Sequence, residues 1–144
     1  MSLEQILKDH FGVKEEDLLK QDSVFSIPKP YIEFFSTLRF YEKTKDYFLV
    51  HAGVGEFLED PEEDIETLLW TRDEIYDTDL MAGLRIIHGH TPLPLTLITE
   101  RVNNPESMIY NLDGGCVYKH IPGMGNLVAM DLDHRTLYIQ ENID

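Results

Sequence analysis

One cysteine, Cys116, is all that this 144-residue chain offers for thiol chemistry. A lone thiol forms no internal disulfide, and the expectation is a reducing, cytoplasmic setting. Basic residues are scarce as well. Twelve Lys and Arg against twenty-seven Asp and Glu leave a formal net charge of −15. A surface of that sign repels phosphate backbones and anionic lipid, so nucleic acid and membranes are not expected partners. No apolar run approaches the ~18–20 residues of a membrane span. Met1 to Lys8 lack the basic-then-apolar pattern of a secretion signal. Repeats, low-complexity tracts and Gly/Ser linkers are missing too, so the chain reads as one domain over 1–144.

What is present is enough to build a core. Hydrophobic residues make up 42% of the chain, including seven Phe, seven Tyr and one Trp, which excludes a disordered class. The acids gather at Glu56–Glu66 and Asp73–Asp79, where they read as a solvated face. Ser2-Leu3-Glu4-Gln5 predicts a capping box for a helix whose apolar face is Leu3, Ile6, Leu7 and Phe11, stopped by Gly12. Glu15 to Lys20 predicts another helical turn. A third helix is expected near Pro28, with Tyr31, Phe34, Phe35 and Leu38 as its stripe.

Tyr47-Phe48-Leu49-Val50 predicts a short buried strand ending at His51-Ala52-Gly53. Asp60-Pro61 predicts an N-cap with proline in the first turn, opening a crossover helix over 60–71 through Ile65, Leu68 and Leu69. A second strand is expected at 84–87, ending at His88-Gly89-His90-Thr91-Pro92. Three more are expected at 107–111, 127–131 and 136–140, with Asp133-His134 turning between the last two. Helices first and strands late make an α/β or α+β chain.

Two histidines stand where chemistry would place them. His51 and His90 each follow an apolar strand directly and precede small or turn-forming residues. In α/β sheets, ligands bind beyond the carboxyl ends of strands, and parallel neighbours would aim both imidazoles into one crevice. Imidazole suits zinc, iron and similar ions, whereas carboxylates suit manganese and magnesium. The competing reading of each histidine is a hydrogen-bonded turn residue, which is also the reading of His10, His120 and His134. His88 reads as a packing residue beside the site.

The text around these histidines resembles the phosphoprotein phosphatases of the calcineurin-like metallophosphoesterase superfamily, in their bacterial form. Phe48-Leu49-Val50-His51-Ala52-Gly53 is similar to the family's strand-then-His-Gly-Gly segment. Leu68-Leu69-Trp70-Thr71-Arg72 is similar to its Leu-Leu-Trp stretch, and Ile87-His88-Gly89-His90-Thr91-Pro92 to its Gly-His-Thr-Pro motif. Asn111 to Tyr118 and Gly125 to Leu132 resemble the closing segments. Order and spacing agree over about Ile27 to Gln140, leaving 1–26 as a helical lead-in to a matching region over 27–144.

The resemblance implies an α/β fold, the later part of a β-sandwich flanked by helices and incomplete. It implies that His51 and His90 are ligands of the second metal of a dinuclear centre of manganese, iron or zinc. It implies that Arg72 grips the phosphate of a phosphorylated protein or small phosphoester. A planar guanidinium suits that role because it pairs with two oxygens at once. On either reading Leu69 and Trp70 are expected in the core.

Three further motifs of the family, Gly-Asp-x-His-Gly, Gly-Asp-x-x-Asp-Arg-Gly and Gly-Asn-His-Glu, do not occur, and the chain contains no Gly-Asp pair. They would supply the first metal's ligands and the bridging carboxylate. The expectation is therefore a fragment of a phosphatase that is inactive alone, its centre empty or partial. Uncovered sheet would make it self-associate. Two alternatives stand beside this reading. One is the diadenosine-tetraphosphate hydrolase branch, which shares two of the motifs. The other is a non-catalytic binding module built on the same fold.

Overall fold

The computed structural model describes residues 29–55, 63–72 and 83–143. The helices expected over 3–11 and 15–20 lie outside them, as do Pro28 and Asp60-Pro61. The chain divides into two compact units, 1–39 and 40–144.

In the first unit the third expected helix is present as α1, Lys29–Phe35. Pro30 falls in its opening turn, where a missing N–H costs nothing. Thr37 closes the helix, its backbone N–H and its hydroxyl both donating to the Phe34 carbonyl. Leu38 therefore lies beyond the helix rather than in its stripe.

The second unit is mixed α and β. Its four-stranded sheet has the order β1 (Tyr41–Lys43), β2 (Tyr47–Val50), β3 (Arg85–His88), β4 (Ile109–Asn111). The first pair is antiparallel, while β2–β3 and β3–β4 are parallel. A separate antiparallel pair is formed by β5 (Asn126–Met130) and β6 (Leu137–Glu141). Two helices serve as connections: α2 (Ile65–Trp70) lies between β2 and β3, and α3 (Leu95–Asn103) between β3 and β4. None of the helices among the described residues is long and apolar enough to cross a membrane.

The period-two alternation of strand side chains builds the core on both faces of the sheet. The register aligns Phe48 with Ile86 and Ile86 with Ile109. This row packs with Leu68 of α2 and with Val54. One residue further along each strand, Leu49 aligns with Ile87 and Ile87 with Tyr110. That row faces the other way, onto Val102 of α3 and onto Met130, Leu132 and Leu137 of the β5–β6 hairpin. The hairpin's outer face leaves Leu127 and Tyr138 exposed.

Several boundaries differ from the sequence expectation. The strand expected at 107–111 starts at Ile109, because Ser107 is taken up in a turn with Asn104 and its hydroxyl donates to the Ile109 carbonyl. The other three move by one residue, to the span each pairs over. Helix α2 is capped by Asp64, whose carboxylate accepts from the Thr67 N–H and hydroxyl. Asp64 and Thr67 stand at the N-cap and third positions, where that bond closes.

Helix α3 was not expected at all. Its Thr96, Ile98, Thr99 and Val102 are β-branched and locally favour strand. Two features override this. Ile98 and Val102 are four apart and bury on one side, and the Thr99 hydroxyl donates to the Leu95 carbonyl one turn back.

Candidate functional site

The three parallel strands β2, β3 and β4 release their loops at the same edge of the sheet. Backbone hydrogen bonds then stitch those loops together. The Gly89 N–H donates to the His51 carbonyl at 2.9 Å, Leu112 N–H to the His88 carbonyl at 2.8 Å, and Leu93 N–H to the Asp113 carbonyl at 2.8 Å. Asn111, fully buried, donates from its amide to the Thr91 carbonyl and accepts from the Asp113 N–H. Each loop is held by its neighbour, so side chains projecting from this edge are set by the sheet.

His51 and His90 meet there. His51 Nε2 lies 3.1 Å from His90 Nδ1, with ring centroids 4.9 Å apart and planes at 64°. The two nitrogens face each other, and one proton between them makes a hydrogen bond whose direction depends on the tautomers. His90 is in the left-handed region, at φ 69°. For a residue with a β-carbon this costs on the order of 1–2 kcal/mol and persists only where the surroundings impose it. Here the Gly89 bond to His51 and the Thr91 N–H donating to the Gly89 carbonyl impose it.

Burial holds the His90 imidazole below the usual histidine range. The His51 ring and then the Arg72 guanidinium push the same way, and Asp113 opposes them. The combined effect biases the ring toward its neutral form. His90 Nε2 is shielded from solvent and has no hydrogen-bond partner among the described residues. This is the ring's second nitrogen, separate from the Nδ1 that faces His51, and leaving it unpaired is costly.

Arg72 lies just past the end of α2, beyond the Thr71 C-cap, and is exposed. Its charge reaches His90. All three predicted residues therefore belong to one neighbourhood. Trp70 is a correction. The expected core residue is 68% exposed, and its ring stands edge-on to His90 at 5.9 Å. Only Leu68 of α2 is fully buried, because a helix this short has one inward position against the sheet. Leu69 is half-buried.

Of the remaining histidines, His88 and His134 match their expected readings. His88 is buried beside the site, its Nδ1 3.2 Å from the Gly89 carbonyl. His134 sits in the β5–β6 turn, where the Asp131 carboxylate accepts from its N–H. His120 is exposed against the Tyr118 ring. His10 lies outside the described residues. Asp113 is the charged neighbour that motif reading left without a role. Its carboxylate accepts from the Gly115 N–H, and it abuts the Gly89 turn.

Two nitrogens 3.1 Å apart, each about 2.0–2.1 Å from an ion, subtend roughly 95–100° at it, between octahedral and tetrahedral edges. The imidazole pair thus fits two adjacent positions of one first-row metal. Among the described residues no three His, Cys, Asp or Glu side chains gather as a metal-holding group. Among the described residues, the two rings are the donors that the geometry brings together. The chain matches no protein-family model, no curated protein and no solved structure.

Proposed function

We propose that this chain forms one side of the dinuclear metal centre of a phosphoester hydrolase of the Ser/Thr phosphatase type, with His51 and His90 as ligands and Arg72 as the phosphate clamp. The observation that carries the reading is the 3.1 Å approach of the two imidazole nitrogens at the carboxyl edge of neighbouring parallel strands. The four motif resemblances supply the rest.

When bound, the metal pair supplies charge neutralisation and an activated water. The chain's own residues do the holding and orienting. Burial biases the His90 ring toward the neutral form that metal binding requires. His51 is set beside it by the Gly89 bond to its own carbonyl. Arg72, exposed at the rim, pairs its planar fork with two phosphate oxygens. The exposed Trp70 ring walls His90 on one side.

The family's motif for the bridging carboxylate does not occur in this sequence. The expected behaviour of these 144 residues alone is therefore to bind a product-like ligand without turning substrate over. Orthophosphate should bind the manganese-loaded chain and fail to bind His51→Ala or His90→Ala. p-Nitrophenyl phosphate turnover should not exceed that of His90→Ala. Equal orthophosphate binding by all three proteins would remove the metal–phosphate reading, and clear turnover would remove the incomplete-centre reading.

A further inference from the structure

At the opposite end of the sheet from the histidines, where β2 and β3 begin, a cavity of about 460 Å³ opens between the β1–β2 turn and the β5–β6 turn. Its walls are pinned. The Arg85 N–H donates to the Asp46 carbonyl at 3.0 Å, and the Tyr47 hydroxyl donates to the Leu132 carbonyl at 2.9 Å. Thr44 locks the β1–β2 turn, its hydroxyl oxygen accepting from the Tyr47 N–H. The volume is within the range that small-molecule sites occupy.

Charge is balanced across this cavity. Lys45 and Arg85 line it together with Asp46 and Asp133, while the Tyr47 ring and Leu132 give it an apolar wall. Arg85 is half-buried and Lys45 is exposed, and two cationic side chains at one cavity are complementary to an oxyanion. A multiply charged anion would also face two carboxylates. An uncharged apolar molecule would bury against four charges. A small molecule bearing one carboxylate and one ammonium meets both signs.

We propose that this cavity binds a zwitterionic amino-carboxylate of free amino-acid size, its carboxylate on Arg85 and Lys45, its ammonium toward Asp46 and Asp133, and its side chain against Tyr47 and Leu132. The site shares no residue with the histidine edge and stands independently of the phosphatase reading.

Titration of the ¹⁵N-labelled 144-residue chain with L-leucine tests it, with acetate and orthophosphate as comparators. Leucine should shift the Lys45, Asp46 and Arg85 amides and the Arg85 Nε–H saturably. Acetate should bind at least about tenfold more weakly, as loss of a charged hydrogen bond implies. Arg85→Gln should abolish the leucine response. Asp133→Asn, at an exposed turn where folding is not at risk, should weaken it about tenfold. The assignment is overturned if leucine gives no localised saturable shifts, if Asp133→Asn binds it as the parent does, or if orthophosphate binds more tightly.

Discussion

His51 and His90 are 39 residues apart in the chain and 3.1 Å apart at their ring nitrogens. The register explains this. Leu49 of β2 lies beside Ile87 of β3 in a parallel pair, so the residues following each strand leave the sheet side by side. The Gly89 N–H then donates to the His51 carbonyl and draws the two loops together.

The left-handed backbone of His90 gives a ranking of variants. Glycine adopts φ 69° without penalty and alanine does not, so His90→Gly should be more stable than His90→Ala by about 1 kcal/mol. Urea denaturation of both variants measures it. The opposite order would mean that the turn relaxes once the imidazole is gone.

Arg72 is exposed, and its truncation should leave stability within about 0.5 kcal/mol of the parent. Orthophosphate affinity of the manganese-loaded chain should nevertheless fall at least about tenfold in Arg72→Ala, and recover partly in Arg72→Lys, which keeps the charge and loses the fork. Isothermal titration reads both. Unchanged affinity in Arg72→Ala would take Arg72 out of the site.

Helix α3 carries its packing on Ile98, which is fully buried, while neighbouring Leu97 is 43% exposed. Ile98→Ala should cost about 2–5 kcal/mol, whereas Leu97→Ala should stay within about 1 kcal/mol. Thermal or urea unfolding separates the two.

Asp64 gives the acid dependence. Its carboxyl is held below the usual range, first by the Thr67 hydroxyl and then by the Thr67 N–H. A depressed carboxyl binds fewer protons folded than unfolded, so its contribution is complete above the unfolded value near 3.9 and is lost as pH falls through the folded one. Asp131, lowered by the His134 N–H, adds in the same direction. Asp64→Asn should flatten the stability loss below about pH 4; a profile identical to the parent would contradict the cap.

The sequence made the β2 strand and the meeting of His51 with His90 at one sheet edge legible, because short apolar runs ending in His-Ala-Gly and His-Gly-His mark strand ends directly. Arg72 is marked only by the motif resemblance. The position of Trp70 was not legible. An aromatic in a Leu-Leu-Trp run reads as core, and only the brevity of α2 turns it outward. Helix α3 was hidden by β-branched residues whose helical spacing is weak without the sheet they pack on. The Arg85 cavity was invisible for another reason. Lys45-Asp46, Arg85 and Asp133 come from three separate turns and strand starts, and no local pattern joins them.

The most direct measurement is a manganese titration of the metal-free chain followed by the histidine ring resonances. The account predicts that paramagnetic broadening strikes His51 and His90 together at substoichiometric metal, while His120 and His134 stay sharp. Broadening that spares the pair, or that falls evenly on the exposed histidines, would contradict it.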